Sequence, residues 1–141
     1  VEAVLAEQSS NPSSAYQACE ELSKWVEHTD WDTILPAYSR CVRITRDQEE
    51  TFSINEAYFV NDDEKALHEA AKELKKAIER NKDVNSFFTS LQPVIPVINA
   101  FFDAVLVMDE DDNVRQNRLA LLQMISNTTS GIIDLSFIEG F

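Results

Sequence analysis

The chain has 141 residues, of which 44% are apolar and 26% charged, enough for one domain with a substantial buried core. This composition excludes an intrinsically disordered chain, because disorder requires fewer apolar residues. The formal net charge of −13 argues against a broad nucleic-acid-binding surface, since phosphates attract Lys and Arg, but screening beyond about 8 Å leaves room for a local basic cluster.

Apolar residues recur at helical spacing along most of the chain. In chain order, the pattern predicts helices over about residues 1–8, 12–28, 33–46, 61–81, 84–92, 97–108 and 112–127. The first segment has no N-cap, as in a chain cut within a helix, and Asn11 before Pro12 predicts the start of the next helix. Residues 47–60 follow no steady period and are predicted to form a loop that docks on the bundle.

Prolines divide and bend these helices. Pro36 must lie in the first turn of its helix or kink it, because proline lacks the backbone N–H. Pro93 and Pro96 interrupt one long helix and fix a bend within it.

The apolar tail, residues 132–141, is predicted to pack back against the rest of the domain. The expected fold is therefore all-α, an antiparallel bundle of five or six helices that forms a single domain over residues 1–141.

Helix caps and cysteines are interpreted as structural features. Asn61 with Glu64 three residues later is a capping-box pattern, and the acidic run 109–112 is interpreted as an N-terminal cap rather than a divalent-ion site. Cys19 and Cys41 are predicted to be buried thiols, and no metal site is predicted. The sequence shows no signal segment and no run of about 20 apolar residues, so no membrane partner is expected.

Known catalytic patterns are absent from the sequence. It has no glycine-rich phosphate loop, no GxSxG, no HExxH and no Cys/His pair at a useful spacing. The chain is therefore not predicted to be an enzyme by itself, and no catalytic residue is assigned. A small helical enzyme with a buried carboxylate pair is an alternative that an apolar pocket with converging acids would favour.

The sharpest basic cluster is Arg40, Arg43 and Arg46, spaced by three so that they follow one side of a helix. Guanidinium groups in such a stripe can contact successive phosphates or stack on unpaired bases. The alternative is that these arginines pair with the acidic segment 47–50. The sequence leaves both interpretations open.

A second basic region contains five residues: Lys72, Lys75, Lys76, Arg80 and Lys82. Glu69, Glu73 and Glu79 are interleaved with them at helical distances. This arrangement favours a solvent-exposed face crossed by ion pairs over an RNA site.

Arg115, Asn117 and Arg118 belong to the last predicted helix. The spacing of Arg118 from its apolar neighbours turns it toward the edge of the core, and a buried cation requires a partner. Asp103 on the preceding helix is the predicted partner in a structural ion pair. Arg115 and Asn117 are expected to point outward, which makes them candidate RNA contacts.

The stretch LQPVIPVINAFFDAVLVMDEDDNVRQNRLALLQMI, residues 91–125, resembles the DALR-type anticodon-binding domain that ends glycyl-tRNA synthetase beta subunits. The FFDxVxVM run, the acids after it and VRxNRLALL carry the resemblance. VEAVLAE is similar to the helix before that domain, and AYSRCVRITR to the family's AYKRxxNI stretch. There Arg40 matches, Ser39 replaces the usual Lys, and Arg43 replaces Asn. The ending IDLSFIEGF resembles the cyanobacterial and plastid branch, which would make Phe141 the C-terminus.

The resemblance implies a non-catalytic, C-terminal part of a beta subunit that assembles with a separate alpha subunit. The alpha subunit would carry the class II active site and use glycine, ATP and Mg²⁺, so no cofactor is expected in this chain. The chain would hold the anticodon arm of glycine tRNA and thereby position its acceptor end. The implied location is the bacterial cytoplasm, with the plastid stroma as the alternative.

The predicted RNA-facing surface consists of Arg40, Arg43, Arg46, Arg115 and Asn117, while the FFD and RLALL runs are assigned to the core. A helical protein-interaction module without RNA binding, whose acidic surface contacts a basic partner, is the alternative function. A continuous positive strip on the folded surface would distinguish the two.

Overall fold

The computed structural model describes residues 1–8, 12–138, 140 and 141, which form helices joined by turns and extended chain, with no strand among them. The α-helices are, in chain order, α1 (Glu2–Gln8), α2 (Pro12–Val26), α3 (Trp31–Thr45), α4 (Asp62–Arg80), α5 (Val84–Leu91), α6 (Ile95–Ala104) and α7 (Asp112–Ser126). Single-turn 3₁₀ helices lie at Glu56–Tyr58, Gln92–Val94, Asn127–Thr129 and Leu135–Phe137. The turn Gln92–Val94 joins α5 directly to α6, so these two form one bent segment. The predicted all-α class is confirmed.

Most helix boundaries follow the predicted caps. α4 begins after Asn61, whose side-chain oxygen accepts a hydrogen bond from the Glu64 N–H at 3.4 Å. α7 begins after Asp111, whose carboxylate accepts from two N–H groups of the first turn, so the acidic run caps the helix. α3 begins two residues before the predicted start, which places Pro36 in its second turn rather than its first. The predicted helix start at Asn11 lies outside the described residues.

The core forms where α3 packs against α6 and α7, and where α4 packs against α5, α6 and α7. Phe87 and Phe88 of α5 are fully buried, with ring centroids 4.9 Å apart. Trp31 meets Phe88 edge-on at 5.3 Å, and Tyr38 meets Phe87 at 5.4 Å. Such aromatic pairs contribute about 0.5–1.5 kcal/mol each beyond the burial of their area. They therefore fix α3 against α5.

The C-terminal tail packs back on α1, as predicted. The Asp134 N–H donates to the Ala3 carbonyl at 2.7 Å, and the Gln8 amide donates to the Ile132 carbonyl at 2.6 Å. Ile132 and Ile133 are fully buried. Backbone hydrogen bonds and apolar contacts thus join the tail to the first helix.

Residues 47–60 dock on the bundle, as predicted, and amide side chains of α7 hold them. Gln123 accepts from one N–H of the loop at 2.9 Å and donates to one of its carbonyls at 2.8 Å. Asn117 accepts from the Asn55 N–H at 2.7 Å and is only 2% exposed. The prediction that Asn117 points outward is therefore wrong. The physical reason is that the docked backbone needs hydrogen-bond partners, which these α7 amides supply.

α6 ends at Ala104, and the apolar residues beyond it no longer follow a helical spacing. Val105 is extended, with φ −125° and ψ 130°. Val105 and Val107 are buried, whereas Leu106 and Met108 are 69% and 51% exposed. This alternation has the period of two that extended chain requires. The predicted helix through Met108 is therefore wrong, because an uninterrupted apolar run does not by itself distinguish helix from extended chain.

Arg118 is buried, as predicted, but its partner is not Asp103. The Arg118 side chain is 6% exposed and contacts the fully buried Glu64, with Nη2–Oε1 and Nε–Oε1 distances of 3.0 and 3.2 Å. It also donates to the Leu106 carbonyl at 2.5 Å and lies 3.5 Å from the Asp109 carboxylate. Asp103 is exposed and forms no ion pair with any described residue. The predicted pair is wrong because α6 ends at Ala104, one residue after Asp103, and the extended segment that follows reaches Arg118 instead.

We expect the two cysteines to differ in reactivity. Cys41 is fully buried in α3, its thiol donates to the Ala37 carbonyl, and burial raises the pKa of this thiol to about 12, whereas Cys19 is half-buried. Because the thiolate is the reactive species, Cys19 should react with a thiol-specific colorimetric reagent in the native state and Cys41 only on unfolding. The reaction is followed with and without urea. A fast phase that persists in Cys19→Ser would contradict the burial of Cys41.

Removal of Glu64 should destabilise the fold strongly. Glu64→Ala leaves the buried Arg118 with only its longer carboxylate contact, and loss of one partner of a buried ion pair costs about 3–5 kcal/mol in the free energy of unfolding. Glu64→Gln keeps one acceptor oxygen and should fall between the parent and Glu64→Ala. Urea denaturation followed by circular dichroism measures all three.

The matched control for this experiment is Asp103→Ala, which removes an exposed carboxylate without an ion-pair partner among the described residues. Its denaturation midpoint should equal that of the parent. A destabilised Asp103→Ala together with a near-neutral Glu64→Ala would show that Arg118 has the partner predicted from sequence after all.

Candidate nucleic-acid interface

Arg40, Arg43 and Arg46 form an exposed stripe along α3, which we call the basic stripe. They lie beside the buried face of the helix, which carries Tyr38 and Cys41. Within the described residues none of the three forms an ion pair, so they are not neutralised by the acidic segment that follows them. Their charges are therefore available to an external anion.

Arg40 is oriented by an aromatic ring on the neighbouring helix. Its guanidinium carbon lies 4.1 Å from the centroid of the Phe102 ring, a cation–π contact. Phe102 is half-buried and rests edge-on against the fully buried Phe101 at 5.7 Å. Phe102 covers one face of the planar guanidinium, and the exposed side chain leaves the other side accessible.

The sequence did not identify Phe102 as part of this surface, because the FFD run was assigned to the core as a whole. Consecutive residues of a helix are separated by 100° around its axis, but Phe87 and Phe88 are both fully buried, so this separation alone does not show that Phe102 lies at the edge of the core. The packing of α6 beside α3 is what identifies it.

Arg43 is held by the side chain one turn before it. Its Nη2 donates to the Ser39 hydroxyl oxygen at 3.2 Å, and its Nε donates to the Ser39 carbonyl at 3.4 Å. Ser39 is itself fully buried and donates to the Pro36 carbonyl at 3.0 Å. The base of the Arg43 guanidinium is therefore fixed, while its exposed side remains turned to solvent.

Arg46 ends the stripe at the C-cap of α3, where it lines a cleft of about 260 Å³. Gln123 and Asn127 of the α7 end and Glu50 of the docked loop line the same cleft. The basic stripe thus leads from the α6 edge, at Arg40, to the junction of α3 with α7.

The remaining predicted contacts do not join the basic stripe. Arg115 is half-buried, its Nη2 lies 2.7 Å from the Asp112 carboxylate, and its Nη1 donates to the Asp109 carbonyl at 3.3 Å. The charge of Arg115 is therefore already matched, and the expectation that it points outward is met only in part. Asn117 lies beneath the docked loop and does not reach the surface.

The second basic region is crossed by ion pairs, as predicted. Lys72 lies 2.7 Å from Glu69, and Lys76 lies 3.8 Å from Glu73. The hydrogen bond from Lys72 lowers the pKa of Glu69. Lys75, between them in sequence, forms no ion pair with a described residue and lines a separate cleft of about 280 Å³.

The chemistry that these residues offer is binding. In the described part of the chain, no group of three or more His, Cys, Asp or Glu side chains could hold a metal ion. None of the helices there combines the length and hydrophobicity needed to cross a membrane. The basic stripe presents guanidinium groups and an aromatic-backed cation, which bind phosphates and stack on bases.

Comparison with known proteins relates the sequence of this chain to a known family. Residues 34–138 match the family described as DALR anticodon binding domain. A relative in Arabidopsis thaliana, glycine–tRNA ligase, chloroplastic/mitochondrial 2, is 34% identical over the whole of this chain and 13% of its own length. The glycine–tRNA ligase beta subunits of Thermodesulfovibrio yellowstonii and Clostridioides difficile are 32% and 30% identical, over 83% and 96% of this chain.

The chain spans only 18% and 20% of those two beta subunits, so it corresponds to a small part of each. The matched range contains the whole basic stripe and the buried Arg118. The resemblance to glycyl-tRNA synthetase beta subunits that the motifs indicated is confirmed by these relatives. The chain belongs to the DALR anticodon binding domain family.

Proposed function

We propose that this chain binds the anticodon arm of glycine tRNA through the basic stripe, as part of a glycyl-tRNA synthetase beta subunit. The observation that carries the proposal is the set of three exposed guanidinium groups on one helix edge, without a carboxylate partner among the described residues. An acidic protein that leaves these cations unpaired retains a local attraction for phosphates. Membership of the anticodon-binding family supports RNA as the ligand.

Arg40, Arg43 and Arg46 have different tasks in this proposal. Arg40, backed by Phe102, offers a flat cationic face on which an unpaired base stacks. Arg43 and Arg46 contact phosphates of the same strand. Binding by this surface orients the tRNA and performs no chemistry on it, so its contribution to aminoacylation is positional.

Positions 39 and 43 support the assignment of Arg43. The related motif has Lys where this chain has Ser39, and Asn where it has Arg43. Residues four apart are neighbours on a helix surface, and here the Arg43 guanidinium lies on the Ser39 side chain. In this proposal the Arg43 guanidinium, which rests on Ser39, supplies the positive charge that the Lys supplies in the related motif.

The remaining partners follow from this proposal. The rest of the beta subunit and a separate alpha subunit assemble with the chain, and the alpha subunit uses ATP and Mg²⁺. The site of action is the bacterial cytoplasm, or the plastid stroma, since the relatives include bacterial and chloroplastic/mitochondrial ligases.

Replacing single arginines of the basic stripe should weaken tRNA binding. Arg40→Ala and Arg43→Ala should each reduce affinity for glycine tRNA roughly tenfold, the scale of one lost charge-assisted contact. Arg40→Lys keeps the charge but loses the stacking face, so it should also bind more weakly than the parent. Mobility shift with this chain and with the full-length subunit measures the effect.

The matched control is Arg80→Ala, which removes an exposed arginine from the end of α4, a different helix from the one that carries the stripe. It should bind as the parent does. Unchanged affinity of Arg40→Ala and Arg43→Ala in the full-length subunit would refute the interface. It would also favour a protein-interaction module without RNA binding.

Binding should be weak for this chain alone and strongly dependent on salt. Two phosphate contacts to single-stranded RNA, from Arg43 and Arg46, give a slope of about −1.4 in log affinity against log salt. The net charge of −13 adds repulsion that weakens binding further at low salt. Fluorescence anisotropy over a salt series measures the slope, and an affinity independent of salt would contradict an electrostatic interface.

A further inference from the structure

Two clefts lie side by side between the end of the basic stripe and α4. The cleft that contains Arg46 and the cleft that contains Lys75 share three lining residues, Thr51, Gln123 and Asn127. They are therefore adjacent, and we call the pair the Arg46–Lys75 groove. Their volumes of about 260 and 280 Å³ are each just below the range of about 300–1,000 Å³ that is typical of small-ligand sites.

The two halves of the groove differ in charge. In the half that contains Lys75, no carboxylate is among the lining residues, and Lys75 is the cation there. Unlike Lys72 and Lys76, which pair with glutamates, Lys75 forms no ion pair with a described residue. In the other half Glu50 lies near Arg46, so a phosphate is better accommodated at the Lys75 end.

The walls of the Lys75 half combine apolar surface with an unused amide. Phe52 and Ile54 of the docked loop and Met124 of α7 provide apolar contacts, and all three are half-buried. Asn127 is exposed, and its side chain makes no hydrogen bond with the described residues. A carboxamide offers both a donor and an acceptor to the edge of a base.

The wall formed by the loop is held in place from within. The Gln123 amide accepts from the Phe52 N–H and donates to the Glu50 carbonyl, which ties the loop to α7. A site built on tethered backbone needs little reordering when a ligand enters, so less affinity is lost to entropy.

We propose that the Arg46–Lys75 groove binds one unpaired nucleotide of the RNA held by the basic stripe. The base packs against Phe52 and Met124, Asn127 hydrogen-bonds its edge, and Lys75 contacts its phosphate. Arg46 connects this site to the stripe. The inference rests on the proposed function, and it adds a second, base-reading contact at a place where the sequence indicated only a solvent-exposed ion-pair face.

The nucleotide must be unpaired because the groove meets the edge and the face of a base. In a duplex the Watson–Crick edge is occupied by the partner strand and the faces by stacked neighbours. A single-stranded loop frees both. The geometry therefore selects a loop nucleotide over any part of a stem.

The test compares Lys75→Ala with Lys76→Ala, two exposed lysines adjacent on one helix. The probe is a fluorescent RNA hairpin with the anticodon-arm sequence of glycine tRNA, read by anisotropy. Lys75→Ala should weaken binding roughly tenfold and make the salt slope shallower by about 0.7 to 1, whereas Lys76→Ala should stay within about twofold. Asn127→Ala should weaken binding roughly fivefold with the slope unchanged. None of the three should weaken binding to a blunt RNA duplex of matched length.

Equal affinities for Lys75→Ala and Lys76→Ala, with Asn127→Ala at the parental value, would overturn the groove. If Arg40→Ala still weakens hairpin binding in that case, the proposed function stands and only the groove is wrong. If the full-length subunit does not bind the hairpin, the proposed function fails and the groove fails with it. Thermal unfolding of each variant confirms that affinity changes are not due to unfolding.

Discussion

The buried guanidinium of Arg118 is the contact on which the arrangement of the second half of the chain depends. It joins α7 to α4 through Glu64, and to the extended segment after α6 through the Leu106 carbonyl and Asp109. Glu64 also accepts from the Val60 N–H at 3.3 Å, so the same carboxylate anchors the end of the docked loop. A charge removed from water must be matched inside the protein, and here two separate segments, α4 and the extended chain after α6, supply the match.

This packing determines what α3 presents to solvent. α3 packs on α6 and α7, with Tyr38 and Cys41 facing inward. The helix therefore has one free edge, and the arginines at three-residue spacing lie along it. α6 contributes Phe102 to that edge only because the bent α5–α6 segment brings it beside Arg40.

The distribution of charge matters more here than its total. Lysines on α4 are partly neutralised by glutamates, while the arginines on α3 are left unpaired among the described residues. A polyanion approaching this protein is repelled by the net negative charge and attracted by the unpaired arginines. Such a charge pattern lowers the affinity of the protein for RNA, but it restricts the orientations in which RNA can bind. For the proposed role of positioning a tRNA, orientation is the useful property.

Local patterns in the sequence were sufficient to predict the all-α class, the main helices, the caps at Asn61 and Asp111, the docked loop and the returning tail. Each of these depends on residues a few positions apart, or on an apolar segment that must pack against the rest of the protein to leave water. The family motifs and the basic stripe were likewise readable, because three arginines on one helix lie on one side of it whatever that helix packs against.

Tertiary structure alone decided which groups meet across the fold. The sequence required a partner for Arg118 but not its identity, since Glu64 lies 54 residues away and its capping position concealed its second role. Tertiary structure also determines where α6 ends and why Asn117 is buried. It further determines that Lys75, unlike its neighbours, has no ion-pair partner among the described residues. Helical period is a local property of the chain, whereas the choice of partner depends on which distant backbone segments arrive at the same place.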